Sequence, residues 1–307
     1  MSSEIVIKFL VAAVLAGTPF LFGTVGEILS EKVGHLNLGV EGMMSIGACA
    51  GFMVGYQTDN FVAALLAAAV AGMLSALIYG VLTVTFMANQ NVTGLTLTIF
   101  GVGLANFIGV FMLEKSENGT LKLPDVVTAQ MRNIHIPGLS DLPVAGELLF
   151  SYNPFVYLGI IIAIVASFYL YKTQVGLNVQ AIGENPGAAD AAGIEVTKWR
   201  YINILLSGAI CGIAGFVIVS GASHTISTAT AGGRGFTAII VAWLSKFNTF
   251  IMVAVSFGIV FMDQGAVQIA TQYGLNENAS DVILGIILFF LIGAEFFINY
   301  RVKRAKK

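Results

Sequence analysis

Charge is scarce in this sequence. Asp, Glu, Lys and Arg make up 10% of 307 residues, against 57% hydrophobic. Soluble domains hold roughly 45–50% apolar residues, so a water-soluble globular protein is excluded, and a mean hydropathy of +0.86 points to an integral membrane protein. Alternation of apolar and polar residues is missing too. Runs such as Phe61–Met87 are apolar on every face, which argues against a β-barrel. Cysteine occurs only as Cys49 and Cys211, both inside apolar runs. They read as small packing residues, with neither a disulfide nor a metal site inferred. No Gly-x-x-x-x-Gly-Lys-Ser/Thr phosphate loop is present, so the chain does not hydrolyse ATP itself. Gly-x-Ser-x-Gly is absent, and His224 beside Ser223 on a flexible loop makes no triad, which speaks against an intramembrane hydrolase. An ion-coupled secondary transporter needs a titratable residue well inside a helix. Its candidates, Asp263 and Glu295, lie near the ends of apolar runs. No small-residue cleavage site leads from the first apolar run into a soluble domain, so that run is expected to be a retained helix.

What the sequence does have is apolar runs. A crossing takes ~20 residues, and the chain has room for about eight to ten. The expected fold is all-α: one polytopic transmembrane domain over residues 1–307, with broken or re-entrant segments. The runs are Ile5–Gly23, Val40–Tyr56, Phe61–Met87, Gly94–Leu113, Pro154–Tyr171, Tyr201–Ser220, a short Phe236–Leu244, Phe250–Met262 and Asp281–Tyr300. Small residues recur as seams for close helix approach. These are Gly47, Gly51 and Gly55; Ala64, Ala68, Gly72 and Ser75; and Ser207, Gly208, Cys211, Gly212 and Gly215. Five of the fifteen Lys and Arg fall in the tail 301–307, which by the positive-inside rule sits in the cytoplasm. Counting back puts the segment 114–153, with five acidic and three basic residues, outside. It puts 172–200 inside, Asp263–Asn278 outside, and the N-terminus outside unless Gly26–Gly39 itself re-enters or crosses.

Two polar stretches interrupt this apolar background. Gly26–Ala48 gathers Glu27, Glu31, Lys32, His35, Asn37 and Glu41 between Gly34, Gly39 and Gly42. Polarity beside hydrocarbon is costly and marks a pathway or a buried contact. Glycines that break a helix there free backbone groups, tolerated only against protein or a water-filled cavity. The stretch reads as a broken helix lining a translocation route, or as a surface loop leading into a helix capped by Asn37. The second stretch, Ala181–Ile194, holds a short helix: Asn185 suits the N-cap, Pro186 the first helical position and Gly193 the stop. At about two turns it is too short and polar to span. It suits docking in another protein's groove, or merely closes a loop.

Ala181–Ile194 resembles the cytoplasmic coupling helix of ABC importer permeases. Gly187-Ala188-Ala189, Asp190-Ala191-Ala192 and Gly193 align with the Glu-Ala-Ala, three residues, Gly signature. Gly replaces the Glu and the hydrophobic-Pro ending is missing, as in the branch for simple sugars, nucleosides and branched-chain amino acids. Gly26-Glu27, Ser30-Glu31, Gly34, Leu36-Asn37-Leu38-Gly39 and Glu41-Gly42-Met43-Met44 resemble the nucleoside-type permeases of that branch. So do Asn89-Gln90, Gly94-Leu95 and Gly233-Arg234-Gly235-Phe236. The resemblance implies a multi-pass subunit of a bacterial cell membrane, moving nucleosides, or a simple sugar such as ribose or galactose. It further implies a second homologous permease, a cytoplasmic ABC ATPase that uses ATP and magnesium, and an extracellular substrate-binding lipoprotein. No cofactor on this chain and no nucleic acid are expected. The gate is expected around Glu27, Gly34, Gly39, Gly42 and Arg234, with Glu27 and Glu41 paired to backbone or basic groups. Asn37, Glu41, Thr96, Asn106, Ser223 and Thr225 are candidates for hydrogen bonds along the route, and Phe100 and Phe107 for stacking. Gly183, Glu184, Asn185, Pro186, Ala188, Ala189, Asp190 and Gly193 are expected to couple to the ATPase.

Overall fold

A computed structural model describes residues 3–299 apart from 115–120, 135–136, 138–139, 141–144, 224, 226–230 and 277. The described residues form thirteen α-helices: α1 Ser3–Lys32, α2 Val40–Thr58, α3 Phe61–Gly80, α4 Gln90–Glu114, α5 Asp125–Ala129, α6 Ala145–Leu149, α7 Pro154–Lys172, α8 Gln174–Glu184, α9 Pro186–Ala191, α10 Val196–Ile218, α11 Arg234–Leu244, α12 Ile251–Gln272 and α13 Asn278–Asn299. Wider π turns extend α3 through Val81–Thr85 and α10 through Val219–Ser223. Among the described residues six helices are long and apolar enough to cross a membrane: α1, α3, α4, α7, α10 and α12. α2 and α13, of nineteen and twenty-two residues, are not among them.

Helix ends follow local chemistry. Asn60 caps α3 through its side chain (3.1 Å to the Ala63 N–H), and Asn153 caps α7 with Pro154 in the first helical position. Three ends differ from the sequence expectation. The first helix does not stop at Gly23 but continues to Lys32, with Pro19 inside it. α8, amphipathic with Val179 and Ile182 buried, fills a stretch expected to be loop. Asp263–Gln272, expected to lie in an outer polar segment, instead continues α12.

The centre is built on absent side chains. A Cβ on Gly47 would strike Gly212, one on Gly72 the Gly208 carbonyl, and one on Gly215 the Met44 carbonyl. α2, α3 and α10 therefore touch backbone to backbone, the use of small residues expected of membrane helices. Contacts also sort the two ends of the molecule. At one end lie the α1–α2 link, Gln90, the α7–α10 connection and Phe247, whose carbonyl accepts from the Tyr171 hydroxyl (3.1 Å). At the other, Gly55 meets Leu123, Gly221 meets Met131, and Lys122 bridges Thr225. The tail 301–307 lies outside the described residues.

Candidate functional site

The link Val33–Gly39 is helix-free, with Val33, His35, Asn37 and Gly39 buried and the residues between them half-buried. Gly34 turns the chain with φ +87°, a conformation that favours glycine. Backbone groups freed there must find partners in a dry interior, and side chains supply them. The Ser30 hydroxyl donates to the His35 carbonyl (2.8 Å), Tyr79 to Leu36 (2.8 Å) and Thr98 to Leu38 (2.8 Å). Gln90 spans the link, donating to the Gly34 carbonyl (3.2 Å) and accepting from the Leu36 N–H (3.0 Å). The Glu27 carboxylate accepts from the Asn37 N–H (3.3 Å), and the Asn37 side chain accepts from Gly39 (2.9 Å). Asn37 thus caps its own turn inside protein, while Glu27 Oε2 and both ring nitrogens of His35 are buried there without a hydrogen-bond partner. Burial pushes the His35 imidazole down to about 4, with the nearby Arg200 charge adding to the effect, so His35 is neutral at physiological pH.

From this break, contact runs both ways. Toward the connection between α7 and α10, Gly34 meets Gly183: a Cβ on Gly34 would lie 3.2 Å from the Gly183 Cα, and one on Gly183 would strike the Lys32 carbonyl. Asn185 follows two residues later, with its side chain accepting from the Ala188 N–H (3.0 Å). It starts α9, and Gly193 ends the turn after it with φ +82°. Within α9 only Ala189 is buried, in a cluster with Val33 and Ile182. Glu184, Asn185, Pro186, Ala188, Asp190 and Gly193 are exposed.

In the other direction, α2 carries Glu41, which is 4% exposed. Its two carboxylate oxygens accept from the N–H groups of Gly233 (2.8 Å) and Gly235 (2.5 Å) at the start of α11. A helix N-terminus offers unpaired N–H groups and a partial positive charge, and here a carboxylate of the same chain satisfies both. α11 has eleven residues, about 16 Å. Its Ala238 carbonyl accepts from Thr24, eight residues before the end of α1, so α11 starts well inside the bundle. Arg234, its first residue, stands between two cavities. One, of about 320 Å³, is bounded by Pro19, Asn133 and Gly221. The other, of about 700 Å³, is bounded by α1, α11, α12 and α13.

The expected site residues therefore separate into groups. Glu27, Gly34, Asn37, Gly39, Glu41 and Gly42 come together at the break, and Glu41 brings in Arg234. Gly42 and Gly101 press backbone to backbone, fixing α2 against α4. Thr96, Phe100 and Phe107 instead lie on the exposed outer face of α4, with Asn106 half-buried beside them. Thr225 lies at the far end in its bridge to Lys122. Ser223 closes the π turn after α10, and its side chain lies outside the described residues. Sequence reasoning gave no role to Tyr79, Thr98 or Gln90. The last was visible in the polar break before α4, but its partners were not.

Residues 9–292 match the family described as branched-chain amino acid transport system, permease component. The chain belongs to this permease family. It is a multi-pass membrane protein and a transport subunit. The guanosine ABC transporter permease protein NupQ of Bacillus subtilis is 33% identical over 77% of this chain and 75% of its own. The nucleoside ABC transporter permease protein NupC of Lactococcus lactis is 32% identical over 75% of this chain and 73% of its own. The glucose ABC transporter permease protein TsgB13 of Haloferax volcanii is 29% identical over 95% of this chain and 78% of its own. A solved inward-facing ABC transporter of metal-chelate type shares the fold, with a TM-score of 0.53 over 95% of this chain and 85% of its own at 14% identity.

Proposed function

We propose that this permease subunit carries nucleosides into a bacterial cell, driven by ATP on a partner. The observation that carries the reading is the contact of Gly183 with Gly34 beside an otherwise exposed α9. α9 docks in a groove of a cytoplasmic ABC ATPase, which uses ATP and magnesium; this chain holds no cofactor. Closure of the ATPase moves α9 and Gly183. With no side chain between Gly183 and Gly34 to absorb the displacement, it reaches the break before α2. Glu41 passes it to α11, so the gate at Gly34–Gly42 and Arg234 turns as one device. A second homologous permease completes the route, and an external lipoprotein delivers the solute. α9 then faces the cytoplasm, as does the tail, and the N-terminus faces outward.

The nucleoside assignment is supported by the guanosine and nucleoside relatives. It is also supported by the outer face of α4, where Thr96 and Asn106 alternate with Phe100 and Phe107. Such a face offers hydrogen bonds and stacking to a neutral base and sugar across from the second permease. A hexose is the second reading, favoured by the Haloferax relative that spans nearly the whole chain. Uptake of radiolabelled uridine, guanosine, ribose and glucose in a deletion strain, with and without this gene, separates them. Uptake of glucose alone refutes the nucleoside assignment. Uptake driven by a proton gradient after ATP depletion refutes the ATP-driven mechanism.

A further inference from the structure

Arg234, Asp263 and Asp281 line one cavity of about 700 Å³. The chain is poor in charge, and a charged side chain among membrane helices is costly and normally paired. Salt bridging is the obvious remedy, yet among the described residues the only ion pair is the exposed Lys198–Glu195. Asp263 stands within electrostatic reach of both Arg234 and Asp281 without contacting either at salt-bridge distance. Arg234 and Asp263 are half-buried and Asp281 is exposed. The Arg234 charge and a hydrogen bond from Gln264 partly offset the Asp263 carboxylate, and all three charged groups border the cavity without a direct ion pair. Asp263 sits on the thirteenth residue of α12, well inside the helix, and Asp281 on the first turn of α13. Arg234 opens α11, whose own N-terminal N–H groups are already taken by Glu41. Gln264 and Thr237 add polar groups, and Phe20 is part of an apolar wall. The volume falls in the range of about 300–1,000 Å³ of pockets that hold small ligands.

Carboxylates only accept hydrogen bonds when ionised, and a guanidinium only donates. A neutral solute between them must donate on one side and accept on the other. Adjacent hydroxyl groups are such donors, and a carbonyl-bearing ring is such an acceptor. We infer that this cavity is a solute site in the permease itself, in which Asp263 and Asp281 hold the vicinal hydroxyls of a neutral sugar-bearing solute and Arg234 holds its acceptor edge. The inference rests on the transport reading above, and it adds to the outer face of α4 a second place of solute contact, on the α11–α13 side. A ribonucleoside presents both halves; a hexose presents the hydroxyls alone.

Two measurements on the whole transporter in cells test it. The first is the ratio of uridine to 2′,3′-dideoxyuridine uptake. The external receptor is common to every strain, so a change in ratio belongs to this chain. Asp263→Asn and Asp281→Asn are each expected to lower the ratio by about tenfold, the scale of one charge-assisted hydrogen bond. Thr58→Ala, at the exposed end of α2, leaves it unchanged. An unaltered ratio in both variants at normal membrane abundance overturns the inference. The second measurement does not need the Asp variants to fold. Gly285 lines the cavity with open space around its Cα, and both native cysteines are buried. In a Gly285→Cys chain, uridine is expected to slow maleimide labelling at least threefold, and dideoxyuridine not to. Labelling unaffected by uridine in a strain that transports uridine overturns the cavity site and leaves the nucleoside assignment standing. Where the wild type takes up glucose and no nucleoside, the nucleoside assignment falls, and protection of Gly285→Cys by glucose upholds the site.

Discussion

Replacing Glu41 should loosen α11 from the rest of the bundle, and the size of the effect follows from its two hydrogen bonds. Both link a carboxylate oxygen to a backbone N–H, at 2.8 and 2.5 Å, in a side chain that is 4% exposed. A hydrogen bond to a charged group contributes about 1.5–3 kcal/mol net, and a charge at a helix N-terminus about 0.3–1 kcal/mol, rising to ~2 when partly buried. Glu41→Gln keeps one accepting oxygen but turns an amide donor toward the other N–H, a loss of about 2–3 kcal/mol. Glu41→Ala strands both N–H groups without water, a loss of about 3–5 kcal/mol. The assay is the temperature at which half of the full-length protein in detergent is lost from its size-exclusion peak. At a few degrees per kcal/mol, Glu41→Ala should fall by on the order of 10 °C and Glu41→Gln by about half that. Gly235→Ala gives an independent check: its methyl would sit 2.5 Å from the Glu41 Cα, so it should shift the midpoint in the same direction. If Glu41→Ala stayed within about 1 °C of wild type, the clamp would contribute nothing and the link from α2 to α11 would have to be abandoned.

Gly183→Val forces the Lys32 carbonyl aside and should cut solute uptake at least about tenfold while the partner still hydrolyses ATP; tight coupling retained in this variant counts against transmission through Gly34. Asn185→Ala removes the cap from a six-residue helix, a loss of about 1 kcal/mol, and faster hydrogen exchange over 186–192 is the expected sign. His35 titrates near 4 folded and near 6.5 unfolded, so the unfolded chain takes up its proton first as pH falls. Its contribution is therefore intact above pH 6.5 and is lost toward pH 4, by up to about 3 kcal/mol. A series of melting midpoints from pH 7.5 to 4.5 should be flatter in His35→Gln, and equal slopes would place His35 in water. Gly215→Leu would strike the Met44 carbonyl and should not accumulate in the membrane, whereas Gly258→Leu meets open space and should; equal abundance of the two contradicts the packing.

Local chemistry was readable in the residues, and distant partnership was not. Asn185, Pro186 and Gly193 announce α9 because a cap, a fixed φ and a left-handed stop each act within one turn. The glycines at spacing four in α2 and the small residues of α3 and α10 likewise mark the seam they form. Glu41 was conspicuous as a buried-looking carboxylate, but its partners lie 192 and 194 residues away, beyond any periodicity. Asp263 was misread for a physical reason. A hydropathy run ends at a charge, whereas a helix continues through one whose side chain has a polar cavity to face. The same holds for Glu27 and Ser30: their polarity suggested that the first helix had ended, and burial against the link lets it run on to Lys32. α8 escaped notice because its apolar face rests on only three buried positions, Gly176, Val179 and Ile182, among polar neighbours.

Where α2, α3 and α10 meet, there is no room for one more methyl group at 47, 72, 208, 212 or 215. Surfaces that interlock this closely cannot slide without first separating, so these three helices travel as a single block. Whatever bends when the transporter exchanges one open side for the other must then be hung on the outside of that block. The short α11, held to α2 by the Glu41 carboxylate and to α1 by the Thr24 hydroxyl, and the outer pair α12 and α13 are among the pieces outside that block.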